Sequence, residues 1–393
     1  MASKPHTLRW GIMATGWIAE TFVKDLLTNP AIRDVHDVAH KVVAVASSRS
    51  TDSASKFLEK VKAPEGAKVY GSYHELVADS DVDIVYVATP HSHHFQNAML
   101  ALEAGKNVLC EKALTVNASQ ARKLFDKAKE KDVFFMEAVW TRYQPLSVKV
   151  REIVQSGAIG PVHRVLADLS VGAGKDDGSL TFADDHRMVN KDLAGGALLD
   201  LGIYSLTWLF QILYHLQPEE EKEAPRTIAA MNHYTTGADE STSIILQFPK
   251  HKTMGIATTS LRVPTNYDES GKLSPAIRIQ GPLGEIHVIG MAYKPTAYRV
   301  VLKNGDGNVE VVDCPVPKDD TREGWGHGMF WEADECARCL RDGKKESSGL
   351  PWAESIAIME CMESALKQGG VEYPELITTD VYDARSPLNT GSR

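Results

Sequence analysis

Between Leu8 and Met136, short apolar runs alternate with stretches of helical periodicity, and no other feature of the chain restricts its fold so tightly. Six runs read as strands: Leu8–Met13, Val42–Ala46, Lys68–Tyr70, Asp83–Val87, Asn107–Cys110 and Val133–Met136. Helical patterns separate them at Ile18–Leu27, Asp52–Lys60, Tyr73–Ala78, Phe95–Ala104 and Ala118–Lys131. Strands joined through helices run parallel, and a parallel sheet is covered on both faces. The expectation is an α/β, doubly wound Rossmann domain over residues 1–145. Ser72 with Glu75, and Asn117 with Gln120, have capping-box spacing at two helix starts. The second cap accounts for Asn117-Ala118-Ser119 without glycosylation.

From about Gly160 the pattern changes. Val162–Val171, Arg226–Tyr234, Ser241–Phe248, Lys252–Leu261, Ala276–Gly281 and Tyr298–Leu302 read as strands joined mostly by hairpins and loops. This predicts a C-terminal α+β domain over 146–393, with a large, mainly antiparallel sheet and the helix Leu198–Leu216 on one face. A chain of 393 residues can hold two such cores. The trailing helices, Met329–Arg341 and Trp352–Gln368, are assigned to no chemistry.

A net charge of −9 argues against nucleic acid as a partner, because neutralising phosphates needs a basic surface. The apolar stretch Leu198–Leu216 approaches membrane-spanning length, but Asp200, Gln211 and His215 make a buried helix the better reading. No signal-peptide pattern precedes the first strand, so a cytoplasmic protein without membrane contact is expected. The five cysteines form no disulfide framework, and Cys336-x-x-Cys339 stands without a second pair. Both thiols fall on one helical face and read as structural.

The turn after the first strand, Gly11 to Ala19, places Gly11, Thr15, Gly16, Trp17 and Ile18 where a dinucleotide binds. Against the G-x-G-x-x-G/A fingerprint, Ala14 replaces the first glycine, Gly16 matches the second and Ala19 fills the third. The need is greatest at Gly16, where a side chain would keep the backbone from the pyrophosphate. The second strand ends in Ser47-Ser48-Arg49-Ser50, without an acid. Ser48 and Arg49 suit a 2′-phosphate, which predicts NADP rather than NAD. After the fourth strand comes Thr89-Pro90-His91-Ser92-His93-His94. Adjacent imidazoles in a loop rarely converge on one ion, so no metal is expected. Thr89 and His91 edge the cofactor instead, with His94 beside them packing or capping the next helix.

Lys112 follows Glu111 at the carboxyl end of the fifth strand, where open α/β sheets bind ligands. Farther on, Gly195-Gly196 leads into Ala-Leu-Leu-Asp200-Leu-Gly202-Ile-Tyr204, an apolar helix with Asp200 and Tyr204 four residues apart on one face. A buried carboxylate and phenol need polar partners, and a substrate hydroxyl would serve.

Taken together, Ala14-x-Gly16-x-x-Ala19, Ala88-Thr89-Pro90, Glu111-Lys112 and Gly195-Gly196…Asp200-x-Gly202-x-Tyr204 resemble the glucose–fructose oxidoreductase/inositol dehydrogenase (GFO/IDH/MocA) family over nearly the whole chain. Tyr204, where inositol dehydrogenases usually carry histidine, resembles the branch of dimeric dihydrodiol dehydrogenases, glucose–fructose oxidoreductase and fungal xylose dehydrogenases. The runs Met136–Tyr143 and Glu111–Ala118 are most similar to the NADP-dependent fungal group. One departure is Ala113, where the family usually has proline.

The resemblance implies oxidation of an aldose, D-xylose foremost, at the anomeric carbon, with hydride passing to NADP and a lactone as product. It implies Tyr204 as acid/base, Lys112 favouring its phenolate, and Asp200 orienting a sugar hydroxyl. Arg187 is a further expected substrate contact. Glu111, Lys112, His94, Trp140 and Arg142 join the residues expected around the cofactor, and a homodimer is implied. A trans-dihydrodiol dehydrogenase and a cofactor-retaining sugar transhydrogenase are alternatives within the chemistry. A non-catalytic dinucleotide-binding regulator is a third, although it would be expected to lose Lys112 or Tyr204.

Overall fold

A computed structural model describes residues 4–268, 274–305, 309–322 and 326–391, and the chain divides into two compact units. The first comprises Met1–Trp140, Val316–Ser355 and Leu376–Arg393; the second comprises Thr141–Pro315 and Ile356–Glu375. The division is therefore not a single cut at residue 145, because the chain returns to the first unit after Val316.

In the first unit the strands are β1 (His6–Met13), β2 (Val38–Ala46), β3 (Lys68–Tyr70), β4 (Ile84–Val87), β5 (Asn107–Glu111) and β6 (Phe135–Ala138). They form one parallel sheet in the order β3-β2-β1-β4-β5-β6. The linking helices are α1 (Trp17–Leu26), α2 (Thr51–Lys60), α3 (Tyr73–Ala78), α4 (His94–Glu103) and α5 (Ala118–Glu130). β6 lies two residues later than its apolar run suggests. The Val133 N–H instead closes the end of α5 on Ala128, and Phe135 and Met136 begin the ladder. Asn117 caps α5 through Gln120 N–H at 2.9 Å, while the Gln120 amide reaches back to Val116 and across to Ile377 and Thr379.

What ties Val316–Ser355 to this unit is buried charge. A helix at Phe330–Arg341 presents Asp334 to Arg33 (2.8 Å) and His40 (2.9 Å), both side chains out of water. Cys336 and Cys339 lie buried on the same helix as free thiols, and burial pushes Cys339 up to about 12.

The second unit contains α6 (Pro145–Gln155), β7 (Arg164–Asp168), α7 (Ile203–Leu213), β8 (Arg226–His233), β9 (Asp239–Phe248), β10 (Thr253–Ser260), β11 (Ile277–Gly281), β12 (Gly284–Met291), β13 (Lys294–Leu302) and β14 (Val311–Asp313). Among the described residues these strands form one sheet in the order β14-β13-β12-β11-β7-β10-β9-β8, antiparallel except for the β7–β10 pair. α6, with proline in its first turn, and β12, bracketed by Gly284 and Gly290, have no counterpart in the sequence reading.

α7 covers the inner face of this sheet. A side chain at Gly255 of β10 would strike Leu209 at 2.6 Å, and Ser205 donates to the Thr258 carbonyl at 2.9 Å. Trp208 anchors the helix by donating to Ala292 O at 2.8 Å. The stretch Lys191–Leu213 is long and apolar enough to cross a bilayer, yet its apolar window is 94% buried inside the protein.

Candidate functional site

The first unit presents an anion-binding turn at the carboxyl end of its sheet. α1 starts at Trp17 with Gly16 as its N-cap, a residue without a side chain to cap the first turn. A Cβ at Gly16 would meet nothing within 4 Å, so open space lies where a pyrophosphate would approach the helix dipole. Thr15 and Ile18 flank that space half-buried, and Trp17 stands 55% exposed beside it. Ala14 holds a positive φ of 86°, the backbone region that glycine tolerates best, while its N–H stays on Ala46 O at 3.1 Å. Gly11 has a different task from the one expected of it. It lies within β1, and its missing Cβ makes room for Val82, whose methyl would stand 2.8 Å away. It packs the sheet and does not face the turn.

At the end of β2, Arg49 is exposed and Ser48 half-buried, whereas Ser50 caps α2 by accepting the Ser53 N–H at 3.2 Å. After β4, the Thr89 hydroxyl is buried and makes no hydrogen bond among the described residues, a group that a ligand atom could satisfy. An open glycine turn, an exposed arginine at the ribose position and an orphaned hydroxyl fit a dinucleotide phosphorylated on its adenosine ribose.

The backbone of Lys112 is held by neighbouring side chains. Glu111, buried, accepts Tyr86 Oη–H at 2.5 Å and the Lys112 backbone N–H at 3.2 Å, so its carboxylate holds the main chain at Lys112. His91 Nε2 meets Lys112 O at 3.1 Å, and Leu114 N–H donates to Glu137 at 3.0 Å. Glu137 is itself fixed by Ser355 Oγ at 2.7 Å. The Lys112–Ala113 peptide is cis.

Of the two roles expected of His94, the structure supports packing and not a place facing the cofactor. His94 is 0% exposed, with Nδ1 at 2.9 Å from Ala113 O and Nε2 at 2.9 Å from Thr89 O. Burial holds its imidazolium down to about 4, so the neutral ring has one N–H for two carbonyls and only one contact is a full hydrogen bond. Its work is to tie the loop after β4 to the loop after β5. Among the described residues no three His, Cys, Asp or Glu gather as metal ligands, and His93 turns to Ser92 at 2.8 Å.

In the second unit the helix bearing Asp200 and Tyr204 departs from the regular α-helix expected. Leu198–Gly202 is one π-helical turn leading into α7, a widened turn that recurs at functional sites. Asp200 and Tyr204 are both buried, and Tyr204 lies 5.8 Å from Tyr293 between ring centres. Arg187 Nη1 reaches Asp200 Oδ1 at 3.3 Å from a half-exposed position. Gly195 permits that approach, since a Cβ there would strike Arg187 O at 2.7 Å and Asn190 N at 2.8 Å. Gly196 has φ +142°, and a Cβ would run into the carboxylate of Asp239. Gly202 clears Leu198 and Thr259. Trp140 is buried at the end of the first unit, and Arg142, fully buried, is counted with the second.

Asp239 has no local signature in the sequence. Its carboxylate accepts the Leu198 N–H at 2.7 Å and Thr242 Oγ–H at 2.8 Å, capping the turn that carries Asp200. Only the three-dimensional return of β9 brings it to Gly196, although the glycine pair itself signals a close approach.

Residues 8–139 match the family model described as an oxidoreductase family with an NAD-binding Rossmann fold, and 147–287 match the GFO/IDH/MocA C-terminal domain. The chain is 65% identical to a D-xylose 1-dehydrogenase (NADP(+)) of Hypocrea jecorina over the full length of both. It is 34% identical to the human trans-1,2-dihydrobenzene-1,2-diol dehydrogenase over 94% of this chain and 98% of that one. A levoglucosan dehydrogenase solved with NADH and levoglucosan superposes with a TM-score of 0.75 at 16% identity, covering 93% of this chain and 97% of the other. A 3-ketoreductase of Actinomadura kijaniata bound to NADP gives 0.70 at 21%, covering 92% and 98%. These two likenesses are of fold.

Proposed function

The chain belongs to the GFO/IDH/MocA oxidoreductase family, and on that premise we propose that it oxidises D-xylose at the anomeric carbon with NADP, yielding the lactone. The full-length identity of 65% to the Hypocrea jecorina enzyme carries this reading. NADP, when bound, supplies the acceptor for the C1 hydride. Gly16 and the first turn of α1 would hold its pyrophosphate, and Arg49 with Ser48 would hold the 2′-phosphate.

The chain's own residues must then remove the C1 hydroxyl proton as the C1–H bond breaks. Tyr204 takes that proton on its phenolate oxygen while the C1–O bond becomes a carbonyl, a role typically worth about 10²–10⁴-fold. Lys112 contributes the positive charge that favours phenolate over phenol. Asp200, oriented by Arg187, accepts a hydrogen bond from a neighbouring sugar hydroxyl.

A spectrophotometric screen of D-xylose, other pentoses, hexoses and a trans-dihydrodiol, each with NADP and NAD, tests the reading. D-xylose with NADP should give the highest kcat/KM. A dihydrodiol turned over while every aldose stayed inert would move the chain to the function of its 34% identical relatives. Tyr204→Phe should leave NADPH binding intact and reduce turnover by about a thousandfold; unchanged turnover would remove the phenol from the mechanism.

The same reading includes a homodimer formed through the sheet face opposite α7. Across that face the strand register aligns Ile228, Ile245, Ile256 and Leu166 in one apolar row, with Ile228 56% exposed and Met254 39% exposed nearby. Sedimentation should give twice the mass of one chain, and Ile228→Asp should halve it.

A further inference from the structure

We propose that the loop Gly326–Met329 is a clasp on the bound dinucleotide, with His327 donating to its pyrophosphate. The inference rests on the NADP reading and extends it to a part of the chain to which the sequence assigns no chemistry.

The loop is anchored from within α1. Asp25, fully buried in the last turns of that helix, accepts Gly326 N–H at 2.9 Å, His327 N–H at 3.0 Å and Met329 N–H at 3.1 Å. One carboxylate therefore fixes three backbone groups of a short loop, and bonds to a charged acceptor are the strong kind. Gly326 (φ +73°) and Gly328 (φ +78°) lie in the left-handed region on either side of His327, a conformation that glycine adopts without strain.

This anchoring sets the imidazole at the carboxyl edge of the parallel sheet, where ligands of open α/β folds bind. The His327 ring is edge-on to Trp17 at 6.4 Å and tilted against Trp140 at 5.4 Å. Trp17 is the first residue of α1, next to the open space at Gly16, and Trp140 follows the end of β6. His327 thus stands between an indole at the pyrophosphate turn and one beyond the last strand of the sheet. A buried anchor, two positive-φ glycines and two aromatic walls are more structure than a surface histidine needs. An imidazole N–H beside the N-terminal turn of α1 adds a donor for the same anion.

The test measures binding and not turnover. NADPH is titrated by its own fluorescence against the wild type, His327→Ala, His327→Gln and His327→Phe, with thermal unfolding as the control for folding. His327→Ala should weaken NADPH about tenfold, the loss of one charge-assisted hydrogen bond. His327→Gln, which keeps an N–H donor, should recover most of that loss, and His327→Phe, which keeps only a ring, should not. The ³¹P resonances of bound NADPH should shift between wild type and His327→Ala. Wild-type affinity in a folded His327→Ala protein overturns the clasp while leaving the cofactor reading in place. Full rescue by phenylalanine overturns the hydrogen bond, making the ring a packing element. Failure of the wild type to bind NADPH would remove the cofactor reading and the clasp together.

Discussion

Asp239 accepts the backbone N–H of Leu198 at 2.7 Å, so a carboxylate at the start of β9 caps the helical turn that carries Asp200. Removal from water raises its pKa to about 6 from the usual 3.8, despite the bonds from Leu198 and Thr242 that favour the charged form. The native carboxylate is thus less comfortable than the unfolded one. Its contribution to stability is full below pH 3.8 and is lost as pH rises through about 6. Asp239→Asn keeps an acceptor for Leu198 but cannot ionise. The difference in unfolding free energy, variant minus wild type, should therefore rise between pH 4 and pH 6 and level off above. A difference that stays flat across that interval would mean that the carboxyl does not titrate there. Asp239→Ala, which also loses the cap, should be less stable than Asp239→Asn by about 1–2 kcal/mol.

His94 works in the opposite direction. Burial lowers its pKa from 6.5 to about 4, so the folded protein disfavours the imidazolium. The stability it contributes is present above pH 6.5 and is lost as pH falls through about 4, on the order of 3 kcal/mol in total. In the wild type this loss offsets the Asp239 gain over the same interval, and single variants are needed to separate them. His94→Gln should show a shallower loss of stability from pH 6.5 to pH 4, read by chemical denaturation at each pH. A slope equal to the wild type's would show that the ring is not titrating as its burial requires.

Ala14 occupies a conformation that the fingerprint normally reserves for glycine. A non-glycine residue at φ 86° is held there by the turn and by its hydrogen bond to Ala46, at a cost of about 1 kcal/mol. Ala14→Gly should relieve that strain, partly offset by the greater freedom of glycine in the unfolded chain. Unfolding free energy should rise by a few tenths to about 1 kcal/mol, with NADPH affinity unchanged. A destabilised Ala14→Gly protein would mean that the Cβ makes a packing contact worth more than the strain.

The first unit is legible in the sequence because its strands are buried on both faces and its helices on one, which leaves two distinct periodicities. Lys112, Asp200 and Tyr204 stand out as candidates for another reason: ionisable groups next to apolar runs or glycine pairs are conspicuous locally. What escaped depends on partners far away in the chain. Asp239 lies 41 residues from the N–H it caps, and Asp25 lies 301 residues from Gly326. Neither pairing leaves a pattern at either end. Gly11 and His94 fit the position of ligand contacts, but their missing or buried side chains serve packing and loop anchoring. The π turn at Leu198–Gly202 is invisible to a 3.6-residue period because it spans only five residues, all but Asp200 and Gly202 leucine, and leaves no composition of its own.

The proposed function assigns the 2′-phosphate to Arg49, and substitution there separates charge from shape. Its guanidinium is exposed at the end of β2, with its own N–H turned inward to Ser47 Oγ at 3.2 Å, so the side chain is available to an anion from solvent. A 2′-phosphate would take two parallel N–H donors from it, whereas a 2′-hydroxyl would rather meet a carboxylate. Arg49→Asp should therefore weaken NADPH about a hundredfold or more, through the lost charge-assisted pair and the new repulsion. NADH, without that phosphate, should bind at least as well as before. Arg49→Gln should fall between, losing affinity for NADPH without gaining any for NADH. Equal weakening of both dinucleotides by Arg49→Asp would place the arginine outside the ribose site and leave the preference for NADP to other residues.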